Sequence, residues 1–286
     1  MKILNGKFVA YFVKNDVKQH IKDITIEYND RIKLVVIQVG NNSASNTYIR
    51  NKEKACEYVG IISETYNLDE NITQREIIDI IQMLNDDESV NGILVQLPLP
   101  KHLNADEIVN SIDPLKDVDG FTFINSGKLA RSHMRNVIAP CTPLGIMNLL
   151  KWYQIDIAGK NCVVIGRSNI VGRPIAEMLL NADATVTVCH SHTENLVDIC
   201  KNADILICSI GKPKFFTKEY IKDGAVVIDV GMNRDENGKL CGDVDFGDVS
   251  DMNISITPVP GGVGQMTVAT LMQNCVLAYQ LQYENV

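Results

Sequence analysis

The chain has 286 residues, 45% of them hydrophobic and 22% charged, and a net charge of -8. No apolar run approaches the roughly 20 residues of a membrane span, and no basic block offers a surface to nucleic acid, so neither partner is expected. At about 150 residues per domain the length predicts two domains, which leaves room for a cleft.

The opening stretch, MKILNGKFVAYFVKNDVKQH, alternates apolar residues with lysines. It lacks the unbroken apolar block and small-residue cleavage site of a signal peptide and reads as mature structure. Eight cysteines (Cys56, Cys141, Cys162, Cys189, Cys200, Cys208, Cys241 and Cys275) are scattered with no C-x-x-C pair. That spacing predicts neither a metal site nor a disulfide framework, but reduced thiols in a cytoplasmic protein.

Apolar, β-branched runs then alternate with segments of helical period, the pattern of parallel strands joined by helices, so the fold class is α/β. In the first half, strands are predicted at Lys33 to Val39, Gly60 to Tyr66 and Gly92 to Leu97, with helices near Asn46 to Tyr58 and Thr73 to Asn85. The first helix carries Tyr48 and Lys52 at i and i+4, on one face, where both can act on one ligand. A lysine in apolar surroundings gives up its proton more readily than in water, which makes Lys52 a candidate acid/base group; the alternative is a solvated surface lysine.

After KWYQIDIAGK a second series begins, with strands predicted at Asn161 to Ile165, Ala184 to Cys189, Ile205 to Ser209, Ala225 to Val230 and Ile254 to Thr257. Between the first two lies GRSNIVGRP, a dinucleotide loop in variant form. Gly166 permits a tight turn after the strand, Ser168 is small where backbone meets pyrophosphate, and Gly172 opens a helix whose first turn accepts Pro174. The second strand ends about 24 residues beyond Gly166, where an NAD site places a carboxylate on the ribose, yet the residues there are His190, Ser191 and His192. Without a carboxylate nothing repels a 2′-phosphate, and Arg167 and Ser191 can hold one, so NADP is favoured over NAD. Arg167 as a solvated side chain and Ser191 as a helix cap are the alternatives. An Asn237-Gly238 pair predicts a tight hairpin outside the main sheet, and the closing segment Gly264 to Tyr283 predicts a long helix returning to the first domain.

The strings GILVQLPLP, KDVDGF and TPVPGGVGQMT, together with the Tyr48 to Lys52 segment and GRSNIVGRP, resemble the bifunctional methylenetetrahydrofolate dehydrogenase/cyclohydrolase family, in order and spacing, from about Leu34 to Met272. The resemblance implies two α/β domains around a cleft. A folate-binding catalytic domain would span residues 1–141 plus 268–286, and a Rossmann-like NADP-binding domain residues 142–267. It also implies a homodimer and a tetrahydrofolate derivative as substrate. Lys52 matches the family's catalytic lysine, Tyr48 the tyrosine stacked on folate, Gln96 the glutamine bonded to the lysine, and Asp119 the carboxylate that holds the pterin. Ser45, Pro260, Gly261 and Gly262 match the border of the folate pocket, and Gly166, Arg167, Ser168, Ser191 and Met232 the NADP contacts. No metal is implied. Met232 stands where the family commonly has isoleucine. Gln265 stands where it usually has proline, and a less rigid turn there is expected to alter folate affinity. The rival readings are a dehydrogenase without the hydrolytic step and, from another class, a nucleotide-binding regulatory module without catalysis.

Overall fold

The computed structural model describes residues 1–28, 30–131 and 136–283, with the side chains of residues 43–45 also outside the description. In chain order the elements are β1 (Lys2–Ile3), α1 (Gly6–Tyr28), β2 (Lys33–Val39), α2 (Ser43–Val59), β3 (Ile62–Leu68), α3 (Gln74–Asp86), β4 (Gly92–Val95), α4 (Ala105–Asn110), α5 (Phe123–Ala130) and α6 (Cys141–Trp152). There follow β5 (Asn161–Ile165), α7 (Gly172–Asn181), β6 (Thr185–Cys189), α8 (Leu196–Lys201), β7 (Ile205–Cys208), β8 (Val226–Asp229), β9 (Asn233–Arg234), β10 (Leu240–Cys241), β11 (Ser255–Ile256) and α9 (Val263–Tyr283). The chain divides into two compact α/β units, one of Tyr11–Cys141 with Val268–Val286, the other of Met1–Ala10 with Thr142–Thr267.

The first unit holds a three-stranded parallel sheet in the order β3-β2-β4. Its central strand, KLVVIQV, is buried along nearly its whole length, as a parallel strand covered on both faces must be. Side chains alternate across it. Leu34 and Val36 pack with Val17, Ile21 and Ile24 of α1, Ile49 and Cys56 of α2, and Leu271 and Cys275 of α9. Val35, Ile37 and Val39 pack on the other side with Ile77, Ile81 and Leu84 of α3 and Ile108 of α4. The long closing helix thus contributes to the core of this unit.

Two local signals fix where elements stop. Gly60 has φ +98, and its amide and that of Ile61 both donate to the Cys56 carbonyl. Gly60 therefore closes α2 in the left-handed conformation that glycine tolerates, and β3 starts at Ile62 rather than at the predicted Gly60. At the start of α3, Thr73 accepts from the Glu76 amide while the Glu76 carboxylate accepts from the Thr73 amide, a reciprocal cap. The other end of α3 is held by Lys116, 6% exposed, whose Nζ donates to the carbonyls of Leu84, Asn85 and Asp87 at 3.1, 2.7 and 2.8 Å. Burial draws its pKa down, and those carbonyls give its ammonium a substitute for water.

The second unit holds a six-stranded sheet in the order β1-β11-β8-β7-β5-β6, with every pair parallel. The chain passes from β5 outward to β6 and then crosses to β7 on the other side of β5. The loops leaving β5 and β7 therefore part in opposite directions, which makes a topological switch point at the carboxyl ends of these strands. The sequence resemblance predicts the first ten residues in the folate-binding domain, but they belong to this unit. The Lys2 and Leu4 amides donate to the carbonyls of Ile254 and Ile256, and β1 completes the edge beside β11. A two-residue strand is too short for periodicity to reveal.

The predicted hairpin forms as β9 and β10, outside the main sheet. Its turn is longer than a two-residue Asn-Gly turn: the Asp235 amide donates to the Lys239 carbonyl, and Asp235 Oδ1 accepts from the amides of Asn237 and Lys239. Gly238 takes φ +74 within it. Among the described residues no helix is long and apolar enough to cross a membrane, and no three His, Cys, Asp or Glu side chains are grouped to hold a metal ion.

Candidate active site

In the three-stranded unit, Gly40 at φ +71 turns the chain from β2 toward α2. Gln38, buried in β2, donates to Asn46 Oδ1 at 2.6 Å, and Asn46 donates on to Asn41 Oδ1 at 2.7 Å, tying the first turn of α2 to the strand. The Ser45 side chain lies outside the described residues. Tyr48 and Lys52 follow on one face of α2, one turn apart. Tyr48 is partly exposed and Lys52 only 9% exposed. Partial burial raises the Tyr48 phenol pKa.

Lys52 Nζ donates to Gln96 Oε1 at 3.0 Å, and Gln96 Nε2 donates to the Leu97 carbonyl at 2.8 Å. The second bond fixes the amide so that its oxygen, never its nitrogen, faces the ammonium. Gln96 sits just beyond β4, its own amide still bonded to the Ile37 carbonyl of β2. The lysine is thus aimed by a side chain anchored to the sheet.

Asp119 completes the group. Burial pushes its carboxyl pKa up, and the Lys52 charge pulls it back down. Cys141 Sγ donates to Asp119 Oδ1 at 3.6 Å and to the Val118 carbonyl at 3.4 Å. From α9 the buried Asn274 donates to the Val118 and Ala139 carbonyls at 2.9 and 2.8 Å and approaches Cys141 Sγ at 3.5 Å. The neighbouring aspartate of KDVDGF has a different task. Asp117, 1% exposed, accepts from the Gly120 and Thr122 amides and from Asn125 Nδ2 at 2.9, 2.8 and 3.0 Å. Asp117 shapes the loop and leaves the Asp119 carboxylate for other work. Asp117, Cys141 and Asn274 were missed from sequence; KDVDGF contains two like residues with nothing in the string to divide their roles.

In the six-stranded unit, Gly166 has φ +121, and a Cβ there would collide with the Ser209 carbonyl oxygen and come within 2.6 Å of Ser209 Oγ. A Cβ at Gly172 would collide with the Gly166 carbonyl and lie 2.8 Å from the Arg167 nitrogen. Both positions need glycine because backbone meets backbone there. Ser168 Oγ accepts from the Val171 and Gly172 amides at 3.2 and 3.3 Å, so the serine hydroxyl caps the start of α7. The Gly166 amide donates to the Cys189 carbonyl at 2.9 Å, and Ile165 pairs with Cys189. Arg167 and Ser191 each lie two residues past this last paired position, in the loops that leave β5 and β6. Both are exposed. The His190 amide donates to Thr193 Oγ1 and the Thr193 amide returns to the His190 carbonyl, closing a tight turn with no carboxylate in it. Pro260, Gly261 and Gly262 lie in this unit just ahead of α9; the Gly261 carbonyl accepts from the Lys7 amide at 2.9 Å.

The sequence matches two family models, tetrahydrofolate dehydrogenase/cyclohydrolase, catalytic domain, over residues 4–119, and tetrahydrofolate dehydrogenase/cyclohydrolase, NAD(P)-binding domain, over residues 140–283. The chain belongs to the tetrahydrofolate dehydrogenase/cyclohydrolase family. It is 55% identical over 276 residues to the bifunctional protein FolD of Agathobacter rectalis, covering 96% of this chain and 98% of that one. Its fold superposes on the crystal structure of the bifunctional FolD enzyme of Campylobacter jejuni with a TM-score of 0.96, 49% identity and 99% of both chains covered. The Trypanosoma brucei methylenetetrahydrofolate dehydrogenase-cyclohydrolase, solved with NADP cofactor and an inhibitor, gives 0.93 at 36% identity over 98% of each chain.

The structure places both residues that the sequence resemblance sets apart, Met232 and Gln265. Met232 is 49% exposed in the loop after β8, and its sulfur lies 3.5 Å from where a Cβ on Gly264 would sit. Gln265 lies in the first turn of α9, exposed, with its amide donating to the Gly262 carbonyl at 3.2 Å. Proline would forgo that bond, so this chain holds the turn by a hydrogen bond where a ring would otherwise stiffen it.

Proposed function

We propose that this chain oxidises 5,10-methylenetetrahydrofolate with NADP and then hydrolyses the resulting 5,10-methenyltetrahydrofolate to 10-formyltetrahydrofolate. The observation that carries the reading is the buried Lys52, aimed by Gln96 and electrostatically coupled to Asp119.

NADP suits the residues of the six-stranded unit. Gly166 and Gly172 sit where any Cβ would strike neighbouring backbone, so the turn from β5 into α7 is tight enough to bring helix amides to a phosphate, and Arg167 and Ser191 are exposed after β5 and β6 with no carboxylate in the His190–Thr193 turn. When bound, NADP supplies the hydride acceptor. For that step the protein needs only to position the substrate, since the nitrogens flanking the one-carbon group stabilise the cation left behind. Asp119 is assigned to hold the pterin and Tyr48 to stack on the aminobenzoyl part of folate, with Ser45, Pro260, Gly261 and Gly262 bordering the substrate. Gly166, Arg167, Ser168, Ser191 and Met232 are assigned to the cofactor.

The methenyl bridge is electrophilic, and water adds to its carbon. The water must lose a proton as it attacks, and one ring nitrogen must gain a proton as its bond to that carbon breaks. Lys52 Nζ serves these transfers, with Gln96 Oε1 holding its position.

The cofactor assignment is tested by reduction of NADP against NAD with methylenetetrahydrofolate as substrate. Arg167→Ala removes a charge-assisted contact worth about 2 kcal/mol, so kcat/KM for NADP is expected to fall about thirtyfold and that for NAD about twofold or less. Equal losses with both cofactors would remove Arg167 from 2′-phosphate recognition. Formation of methenyl product without formyl product would restrict the chain to the first step. The proposal extends to the cytoplasm, supported by eight free thiols of which seven are buried, and to a homodimer, which rests on the family resemblance alone. Light scattering should then give twice the 31.7 kDa chain mass, and a monomer at micromolar concentration would count against it.

A further inference from the structure

The six-stranded unit contains two buried carboxylates that no step above uses. Asp243 is wholly buried; its Oδ2 accepts from the Ile210 and Gly211 amides at 2.6 and 3.1 Å, and its Oδ1 from the Lys212 amide at 2.9 Å and Asn233 Nδ2 at 2.8 Å. Asp229, 4% exposed, accepts from the amides of Gly231, Asp243 and Val244, each at 2.9 Å. Every donor to Asp243 comes from the segments that leave the carboxyl ends of β7 and β8. Asp229 in turn holds the backbone of Asp243. The β9–β10 hairpin returns the chain so that Asp243 sits between those two segments, and the packing leaves no room for side chains at the neighbouring glycines. A Cβ at Gly231 would collide with Asp243, and one at Gly242 with Asp229.

Burying carboxylates is costly, and burial pushes the Asp229 carboxyl up to about 7 despite three amide donors. Together they take up six backbone amides that apolar packing would leave without acceptors. What they provide is rigid backbone at the carboxyl ends of two adjacent strands next to the switch point, where a dinucleotide lies in this fold. The loops after β5 and β6 carry Gly166, Arg167 and Ser191, which take the pyrophosphate and the phosphorylated ribose. The loops after β7 and β8 are left for the nicotinamide half. Met232 is gripped on both sides: the Gly231 amide is bonded to Asp229 and the Asn233 side chain to Asp243.

We infer that Asp243, braced by Asp229, is a positioning residue that fixes the loops after β7 and β8 to receive the nicotinamide half of the cofactor. This rests on reading the unit as the NADP site. If the unaltered protein fails to reduce NADP, that reading fails first.

The test uses the full chain and three readouts: kcat and KM for NADP, hydrolysis of methenyltetrahydrofolate without NADP, and inhibition of the dehydrogenase by 2′-phosphoadenosine 5′-diphosphate, the adenosine half alone. Asp243→Asn places an amide NH2 against donors and is expected to raise KM for NADP about tenfold or more. Hydrolysis and the inhibition constant should stay within about twofold of the unaltered values. Asn233→Ala deletes a single donor and should raise KM for NADP about threefold with the same selectivity. A loss of hydrolysis in step with NADP binding, or weakened binding of the adenosine half, would overturn the inference, since either is what a general structural role produces. If Asp243→Asn does not fold, Asn233→Ala decides, and an unchanged KM for NADP in that variant overturns it.

Discussion

Lys52→Met is expected to lower the hydrolysis of methenyltetrahydrofolate by at least about a hundredfold while leaving hydride transfer to NADP measurable, the size associated with losing a positioned proton carrier. Methionine keeps the length and apolar stem of lysine, so α2 retains its packing. Three things change around it. No group remains to carry the proton between water and the ring nitrogen. Gln96 Oε1 loses the donor now 3.0 Å away, while its amide stays tied to the Leu97 carbonyl. Asp119 loses the charge that opposes burial, so its carboxyl moves further up, and folate KM should rise in the dehydrogenase assay. Hydride transfer persists because the one-carbon cation is stabilised by its own nitrogens. The measurement is paired, methenyl hydrolysis followed directly and NADP reduction in the same preparation. Hydrolysis at the unaltered rate would remove Lys52 from the mechanism.

The converse loss is expected from Gly166→Ala. At φ +121 an alanine is strained by about 1–3 kcal/mol, and its Cβ would strike the Ser209 carbonyl, which belongs to the segment leaving β7. The loops after β5 and β7 must separate by the width of that methyl group, and the pyrophosphate cradle opens at the switch point. The expected result is a fall of about thirty- to a hundredfold in kcat/KM for NADP, with hydrolysis of added methenyltetrahydrofolate retained. Thermal unfolding should show a lowered midpoint with a single native population at assay temperature. NADP reduction at full efficiency would mean that the loop relaxes freely and that Gly166 is no part of the cofactor site.

Legibility in the sequence followed the density of local signal. The strands Lys33–Val39 and Asn161–Ile165 have their predicted ends because a central parallel strand is a near-continuous apolar run, interrupted in the first only by Gln38. The start of β3 was misplaced because Gly60 serves as a helix terminator, a role set by φ rather than by hydropathy. Helix α1 went unread since Phe8, Tyr11 and Phe12 are exposed while Val9, Val17 and Ile21 are buried, which blurs the 3.6-residue stripe. In the candidate site, Lys52 and Gln96 stood out through their surrounding strings, and the 3.0 Å bond between them spans 44 positions. Asp229, Asp243 and Asn274 left no such trace. Their partners are mostly backbone groups brought together by the fold, and no spacing rule encodes a carboxylate that collects three amides from one loop and an asparagine from another.

The distribution of thiols gives the β9–β10 hairpin an experimental use. Seven of the eight cysteines are buried, and burial raises their thiol pKa values, to about 12 at Cys56 and Cys200 and about 11 at Cys162. Cys241 alone is partly open, on the hairpin, two residues before Asp243. Burial raises the Cys241 thiol pKa as well, so accessibility rather than acidity makes it the one natural handle for a maleimide fluorophore. Its anisotropy would follow the local motion of the hairpin, whose first strand carries the Asn233 that bonds Asp243.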